Sequence, residues 1–212
     1  MKNIILGFLI CPIFIFVLSG CVSITKSPSP RFYKLGSISQ EQAGARFKAT
    51  NDGIIGVGPV KIPEYLNRPQ IVTVDNNNMV NFAQFDRWGE PLDFAIARIL
   101  DENLSVIVDS KGIEMFPWSM FMPVRFQVVL DIVELDVNMS KDLVLTAQWS
   151  ILDLKTKSPV FSKRSLLIED VNPHNYSGVV AALNTVLSKI SIEIGQELSR
   201  LPVLPGVIPG ER

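Results

Sequence analysis

A single apolar run at the amino terminus constrains this chain more than any other feature. Ile4 to Leu18 is a stretch of 15 residues without a charged side chain, and the basic Lys2 precedes it. The run is shorter than the roughly 20 residues that a transmembrane helix needs, and it matches the apolar region of a secretory signal peptide. We therefore predict that residues 1–20 are removed and take no part in the fold.

A cysteine directly follows this run. Leu18-Ser19-Gly20-Cys21 places small residues before the cysteine, at the boundary between the apolar run and a polar stretch. This arrangement resembles the bacterial lipobox, which implies cleavage before Cys21 and attachment of an S-diacylglycerol and an N-acyl group to it. The alternative is an ordinary secretory signal in which the cysteine is coincidental. Apart from these covalent lipids, no cofactor is predicted.

The lipid would hold the chain on a membrane that it does not cross. One acyl chain binds a bilayer only marginally, but burial contributes roughly 0.8 kcal/mol per CH₂, so a multiply acylated terminus anchors firmly. Val22 follows the cysteine where retention at the inner membrane of enteric bacteria usually has Asp, which favours the periplasmic face of the outer membrane. Residues 21–30 are rich in serine and proline and predict a short lipidated tether.

Charge and cysteine content exclude several functions. The chain has 20 basic and 21 acidic side chains and a pI near 5.9, so it offers no basic field for general nucleic-acid binding. Its two cysteines are Cys11, inside the predicted signal peptide, and Cys21. The mature chain therefore has no cysteine for a disulfide, a thiolate metal site or a nucleophile.

Residues 31–201 predict a single domain, because they contain no internal repeat and no second linker. In the first half, apolar residues bounded by turn signals predict strands at Arg31–Leu35, Gly53–Ile62, Gln70–Asp75 and Met79–Gln84. Gly36–Asn51 is polar and predicts a surface loop. Asn76–Asn78 predicts a hairpin turn, since asparagine tolerates positive φ.

Helical spacing follows, and strands return after it. Pro91 suits the first turn of a helix, and apolar residues recur at helical spacing from Leu92 to Leu104. Alternation predicts long strands at 124–132 and 143–151, and a third at 160–169. In the third strand Phe161 and Leu166 share a face only if a bulge or twist shifts the period, so its register stays open. A last helix is predicted from about Ser177 to Leu201. This order predicts an α+β fold, a mainly antiparallel sheet with two helices packed on one face.

No catalytic group stands out, so the chain is not predicted to be an enzyme. His174, the only histidine, lies in a turn before the last helix, where a surface or capping role is favoured over catalysis. The glycines of Gly53–Gly58 do not form a phosphate-binding fingerprint and favour a bulged or closely packed strand. The acids Asp131, Glu134 and Asp136 could gather a hard cation, but solvent-facing acids are common on strands, and no metal is predicted.

Two apolar stretches lack clean periodicity. Met115–Pro123 (MFPWSMFMP) suits adaptable contact with lipid or protein, although a loop that covers the core is the favoured interpretation. Residues 202–212 form a proline-rich tail that cannot continue a helix. The tail either docks in extended form in a partner's groove or trails in solvent.

Several segments together resemble a known family. These are Val57–Val72 (VGPVKIPEYLNRPQIV), Asn81, Arg87–Leu92 (RWGEPL) and Arg98–Leu104 (RILDENL), with weaker similarity through Gln148-Trp149 to Leu201-Pro202. They occur in this order behind a lipobox, and the chain resembles the PqiC-type ABC-transport auxiliary lipoproteins. The tail is an addition to the family pattern.

The resemblance implies an outer-membrane lipoprotein that partners an MCE-domain membrane protein, a type of protein that bridges the periplasm and moves lipids between membranes. The chain would be a docking and structural subunit, and a homo-oligomer is expected because a tube that meets the outer membrane needs a collar. The alternatives are a general envelope scaffold or binding lipoprotein with another partner, and an envelope hydrolase, which would need a base that the sequence does not show.

The motif also supplies the predicted partner-binding positions. Two prolines, Pro63 and Pro69, bracket a turn between two strands, and its apolar residues indicate that the turn is packed. Trp88 could fix the start of the first helix on the sheet. The positions predicted to bind the partner are Pro63, Tyr65, Leu66, Arg68, Trp88 and Pro91.

Overall fold

Four segments, residues 27–44, 46–49, 53–75 and 77–201, are described by the computed structural model. The predicted signal peptide at 1–20, Cys21 and the next five residues of the tether, and the tail at 202–212 all lie outside the described residues. The predictions made for those segments stay predictions.

The strand and helix order confirms the α+β fold class. The elements in chain order are β1 (Arg31–Tyr33), α1 (Gln40–Ala43), β2 (Phe47–Lys48), β3 (Ile54–Lys61), a 3-10 helix (Glu64–Leu66), β4 (Gln70–Val74), β5 (Val80–Trp88), α2 (Leu92–Ile107), β6 (Val108–Asp109), β7 (Ile113–Met115), β8 (Val124–Val137), β9 (Asp142–Asp153), β10 (Ser158–Asp170) and α3 (Tyr176–Arg200). Both long helices and all three long strands of the second half occur where the periodicity predicts them, with ends displaced by up to five residues.

The polar stretch predicted as a surface loop is partly regular, so that prediction was wrong. It contains α1 and β2. Ser39 caps α1: its hydroxyl accepts a hydrogen bond from the backbone N–H of Gln42, whose side chain accepts one from the backbone N–H of Ser39. This reciprocal pair satisfies two N–H groups that a helix start leaves free. A capping pair of this kind forms a helical turn without any apolar periodicity.

The large sheet has the strand order β10-β9-β8-β3-β7. β8, β9 and β10 pair antiparallel, as successive strands joined by tight turns do. β3, by contrast, pairs in parallel with both β8 and β7. The parallel pairing arises because the chain leaves β3, forms β4, β5, α2 and β6, and only then returns beside β3.

A second, three-stranded sheet has the order β1-β5-β4. β4 and β5 form the predicted antiparallel hairpin, and Asn78 in its turn adopts a φ of 60°, which asparagine tolerates. β1 lies in parallel against the other side of β5. The strand that continues from the tether is therefore attached to the small sheet.

The core lies between the large sheet and the two long helices. Alternate residues of β8 and β9, from Phe126 to Val137 and from Leu143 to Ile151, are buried. The apolar stripes of α2 and α3 cover this face and contact one another. α3 is long and apolar enough to cross a bilayer, but most of its apolar stretch is buried in the core, as expected for a core helix.

Two irregular strands follow from specific residues. β10 shifts register between Pro159 and Phe161 but pairs regularly from Phe161 to Asp170, so no bulge brings Leu166 to the side of Phe161, and Leu166 is exposed. In β3, a Cβ on Gly56 would lie 2.5 Å from the Trp118 ring, and Gly58 adopts a φ of +105°. The glycines thus mark a closely packed and bulged strand, as predicted, and Trp118 covers it.

Candidate functional site

The predicted partner-binding residues divide between a packed turn and an open groove. The groove has a volume of about 350 Å³ and lies where the turn before β4, the end of β5 and the start of α2 meet. Its lining residues are Asn67, Arg68, Pro69, Trp88, Gly89, Glu90, Pro91 and Leu92. Three of the six predicted positions, Arg68, Trp88 and Pro91, therefore come together although they are separated by up to 23 positions in the sequence.

The other three positions form the turn. Pro63 precedes the 3-10 helix, and Leu66 is almost fully buried. The hydroxyl of Tyr65 lies 3.2 Å from Oδ1 of Asp136 and 3.4 Å from the carbonyl oxygen of Leu135 on β8. Burial, together with the Asp136 charge, raises the pKa of Tyr65 to about 12. These residues fix the groove on the large sheet, and their predicted contact with a partner stays a prediction.

Arg68 lies at the edge of the groove with its guanidinium over an aromatic ring. Its Cζ atom is 4.0 Å from the centroid of Phe82, a cation–π arrangement. Its Nε is buried and has no hydrogen-bond partner, and no carboxylate among the described residues pairs with it. A cation held in this way is available to an anionic group of a partner.

Trp88 and Pro91 shape the other wall. The backbone N–H of Trp88 donates to the carbonyl oxygen of Pro69 at 2.7 Å, and its side chain is buried, as an anchor for the helix start requires. Pro91 is exposed and immediately precedes the first helical residue, Leu92, rather than occupying the first turn. Its carbonyl oxygen accepts the first helical hydrogen bond, from Ala95 at 2.9 Å.

The acidic residue of the groove, Glu90, belongs to a cluster of ion pairs with α2. Glu90 lies 2.6 Å from Nη2 of Arg98, whose Nη1 lies 2.8 Å from Glu102. Arg98 also donates to the carbonyl oxygen of Leu35 at 3.2 Å. Hydrogen bonding to Glu90 raises the pKa of Arg98. Burial alone would raise the pKa of Glu102, but the hydrogen bond from Arg98 lowers it below its usual value. Glu90 is thus fixed by the helix and is not free to neutralise Arg68.

No arrangement in the described residues suits catalysis. His174 is exposed, and the neighbouring Asn175 caps α3 instead, its Oδ1 accepting from the backbone N–H of Gly178 at 3.0 Å. No group of three or more His, Cys, Asp or Glu side chains within the described ranges could hold a metal ion. Of the three acids on β8, Glu134 accepts a hydrogen bond from Thr146 and Asp136 one from Tyr65.

The Met115–Pro123 stretch both covers the sheet and exposes apolar side chains. Trp118 packs on β3 and stacks edge-on with Phe116 at 5.4 Å between centroids. Met120 and Phe121 are each 88% exposed. The prediction of a covering loop is therefore correct for Trp118, while the tip offers an exposed apolar contact.

Sequence reasoning missed the features that surround β1. Asp86 on β5 is buried and bonds to both Arg31 and Tyr33, which brings together residues that lie more than fifty positions apart. Phe32 and Phe82 are exposed on the same small sheet. Only the parallel pairing of β1 with β5 reveals these neighbours, and a three-residue strand has too little periodicity to predict it.

Comparison with known families places the chain among lipoproteins that assist transport across membranes. Residues 33–195 match the ABC-type transport auxiliary lipoprotein component family, and the chain belongs to this family. The match spans most of the described domain and includes all six predicted positions. A search of curated proteins found no match.

Solved structures share the fold at low sequence identity. Protein XCC0632 from Xanthomonas campestris superposes with a TM-score of 0.60 at 9% identity, over 81% of this chain and 94% of its own. The crystal structure of an uncharacterized protein gives a TM-score of 0.59 at 16% identity, over 81% of this chain and 99% of its own. Both likenesses concern the fold alone.

Proposed function

We propose that the chain is the docking subunit of an MCE-type intermembrane lipid-transport system, anchored by Cys21 to the periplasmic face of the outer membrane. Membership of the auxiliary lipoprotein family supports a role beside a transporter. The described residues contain a groove and exposed apolar surfaces, and they include no group of three or more His, Cys, Asp or Glu side chains that could hold a metal ion. A binding role uses these features, whereas chemistry would need groups that this part of the chain does not bring together.

The observation that carries the proposal is the convergence of Arg68, Trp88 and Pro91 on one groove. The buried Trp88 and the turn below it give the groove a fixed shape, and Arg68 supplies a cation without a carboxylate partner in the described residues. A preformed groove loses little conformational entropy when it binds. We assign it to a segment of the MCE-domain partner that carries an acidic side chain or a free carboxylate.

Self-association would complete the docking role. β10 is an edge strand of 13 residues in the large sheet, and Val160, Leu166 and Ile168 on it are exposed. A long edge with apolar side chains can pair with another chain. We propose that copies of this chain meet there and form a collar around the transport channel.

Photo-crosslinking in membranes tests the groove assignment. A photoreactive amino acid replaces Asn67, which is exposed at the groove, in the full-length lipoprotein; the control places it at Lys155, in the exposed turn between β9 and β10. The expected result is a crosslink to an MCE-domain protein from position 67 and none from position 155. Arg68→Glu should abolish the crosslink, and Lys155→Glu, a charge reversal in the exposed turn between β9 and β10, should not.

Other outcomes contradict the proposal in different ways. Recovery of only porins or cell-wall material at position 67 would overturn the transport assignment and support a general envelope scaffold. Equal crosslinking from both positions would show a partner that does not use the groove. Partner binding that survives Arg68→Glu would show that the positive charge of Arg68 is not needed to recognise the partner.

A further inference from the structure

One face of the small sheet carries exposed apolar side chains. Phe32 is 67% exposed and Phe82 is 48% exposed, and Met79 and Val80 at the hairpin are also exposed. In β4, alternate residues pair with β5: Gln70 with Arg87, Val72 with Phe82 and Val74 with Val80. The register shifts between Gln70 and Val72, where β5 carries the extra residues, so the regular alternation along β4 is what places Arg87 on the same side of the sheet as Phe82 and Val80. Phe32, the partner of Arg87 on β1, joins them.

The same face carries positive charge that is not neutralised within the described chain. Arg87 lies between Phe32 and Gln70, and its buried Nε has no hydrogen-bond partner. Arg68 lies over Phe82. No carboxylate of the described residues forms an ion pair with either arginine. Aromatic rings beside unpaired arginines match the chemistry of a bilayer interface with anionic headgroups.

The position of the tether selects the bilayer as the partner of this face. β1 begins at Arg31, ten residues after Cys21, so an extended tether reaches about 35 Å at most. The small sheet is therefore the part of the domain that the anchor keeps near the membrane. The other exposed apolar tip, at Met120 and Phe121, lies just before the amino end of β8. The small sheet and Tyr65 instead contact β8, and Tyr65 does so at Asp136, near the carboxyl end of that strand. The 14 residues of β8 separate the two by roughly 45 Å.

From these observations we infer that the face of the small sheet formed by Phe32, Phe82, Val80 and Arg87 lies on the bilayer that holds the anchor, with Arg87 on anionic headgroups and Arg68 left to the neighbouring groove. The inference rests on the proposed lipid at Cys21. It deepens the proposed function, because a second contact besides the lipid fixes the orientation of the domain. The Met120 and Phe121 tip then points away from the membrane.

Fluorescent probes at single cysteines test the orientation. After Cys21, whose sulfur the lipid blocks, the chain has no cysteine, so Phe82→Cys or Phe32→Cys in the lipidated protein provides one labelling site. Phe121→Cys is the matched control, an exposed phenylalanine at the loop tip far from the small sheet. The protein is reconstituted in vesicles of phosphatidylethanolamine and phosphatidylglycerol that contain lipids with a nitroxide near the headgroup.

The expected result is a blue shift and nitroxide quenching of probes at positions 82 and 32, and no quenching at 121. In phosphatidylcholine vesicles, or with Arg87→Gln, the quenching at 82 should decrease by at least half. Equal, low quenching at all three positions on protein that floats with the vesicles would overturn the orientation and leave the anchor intact. Protein that fails to float would overturn the anchor itself, and the orientation with it. Protection of position 82 only after a partner protein is added would reassign this face to that partner.

Discussion

The phenol oxygen of Tyr33 lies 2.7 Å from Oδ1 of Asp86, and this hydrogen bond joins the strand nearest the tether to the middle strand of the small sheet. The carboxyl group of Asp86 also lies 2.8 Å from the guanidinium of Arg31. Burial alone would raise the pKa of Asp86, but the bonds from Arg31 and Tyr33 hold it below its usual range. One buried carboxylate therefore fastens both ends of a three-residue strand.

Replacing this carboxylate should weaken the domain in a pH-dependent way. A pKa that is lower in the folded than in the unfolded chain stabilises the fold above the unfolded value of about 3.9, and this contribution is lost as the pH falls through the folded pKa. Asp86→Asn should therefore cost about 1.5–3 kcal/mol at neutral pH, the range for a hydrogen bond to a charged group. Urea unfolding at pH 7 and in strong acid checks this: the difference from the wild type should shrink in acid.

The carboxylate of Asp101 on α2 should behave in the opposite way. Burial, with the charges of Glu114 and Glu102, raises its pKa, and its Oδ1 has no hydrogen-bond partner. The fold then loses stability as the pH rises above the unfolded pKa, and the loss is complete above the raised folded pKa. Asp101→Asn should stabilise the domain at pH 7, by less than about 1 kcal/mol because solvent screens a half-buried group. A destabilised variant in thermal unfolding would contradict the raised pKa.

Alanine substitutions at two glycines should have very different effects on the free energy of unfolding. A Cβ on Gly178 in the first turn of α3 would lie 1.8 Å from the carbonyl oxygen of Pro173. Because the neighbouring atoms belong to the backbone of Asn172 and Pro173, the chain itself would have to move to make room. A Cβ on Gly36 would only make ordinary contact, 3.7 Å from Nδ2 of Asn184. Gly178→Ala should cost more than about 3 kcal/mol, and Gly36→Ala should lie within about 1 kcal/mol of the wild type. Unfolding free energies in urea compare the two directly.

The packed turn should be separable from the groove that it supports. Leu66→Ala should cost about 2–5 kcal/mol, since it removes a buried side chain. Tyr65→Phe should cost less, about 1.5 kcal/mol, the low end of the range for a hydrogen bond to a charged group, because the bond to Asp136 is long at 3.2 Å. It should leave crosslinking from position 67 unchanged. A loss of partner crosslinking in folded Tyr65→Phe protein would show instead that the hydroxyl touches the partner.

The exposed tip of the Met115–Pro123 loop should contribute little to the free energy of unfolding. Met120→Ser with Phe121→Ser changes two side chains that are each 88% exposed, so the unfolding free energy should change by less than about 0.5 kcal/mol. Trp118→Ser, which uncovers Gly56 on β3, is the contrasting variant and should cost several times more. Equal effects on thermal stability would mean that the tip packs against the domain.

Periodicity predicted the elements that bury one continuous face. In α2, β8 and β9 the apolar residues recur with the period of the element because one face of each is buried in the core. The sequence pattern therefore predicts these elements directly. The register of β10, which the pattern left open, runs regularly from Phe161 to Asp170, so the apolar Leu166 faces outward. Such local signals predict element type, but they do not predict which strands pair.

Pairing between distant segments explains what the sequence could not show. β3 lies between β7 and β8, and β1 lies beside β5, through parallel pairs that no turn motif specifies. For the candidate site, the prolines around Glu64–Leu66 indicated a packed turn, but the meeting of Arg68 with Phe82 depends on the hairpin register. The family motif supplied the groove residues, and only the fold showed that half of them face it.

The parallel pairing of β1 with β5 also determines how the domain bears mechanical load. A pull from the anchor acts along β1, so the short ladder to β5 and the bonds to Asp86 are strained together, in shear, rather than broken one after another. An antiparallel terminal hairpin pulled from its open end would unzip at a far lower force. The attachment therefore suits a protein held at one end by a membrane and at the other by a large assembly that moves relative to it.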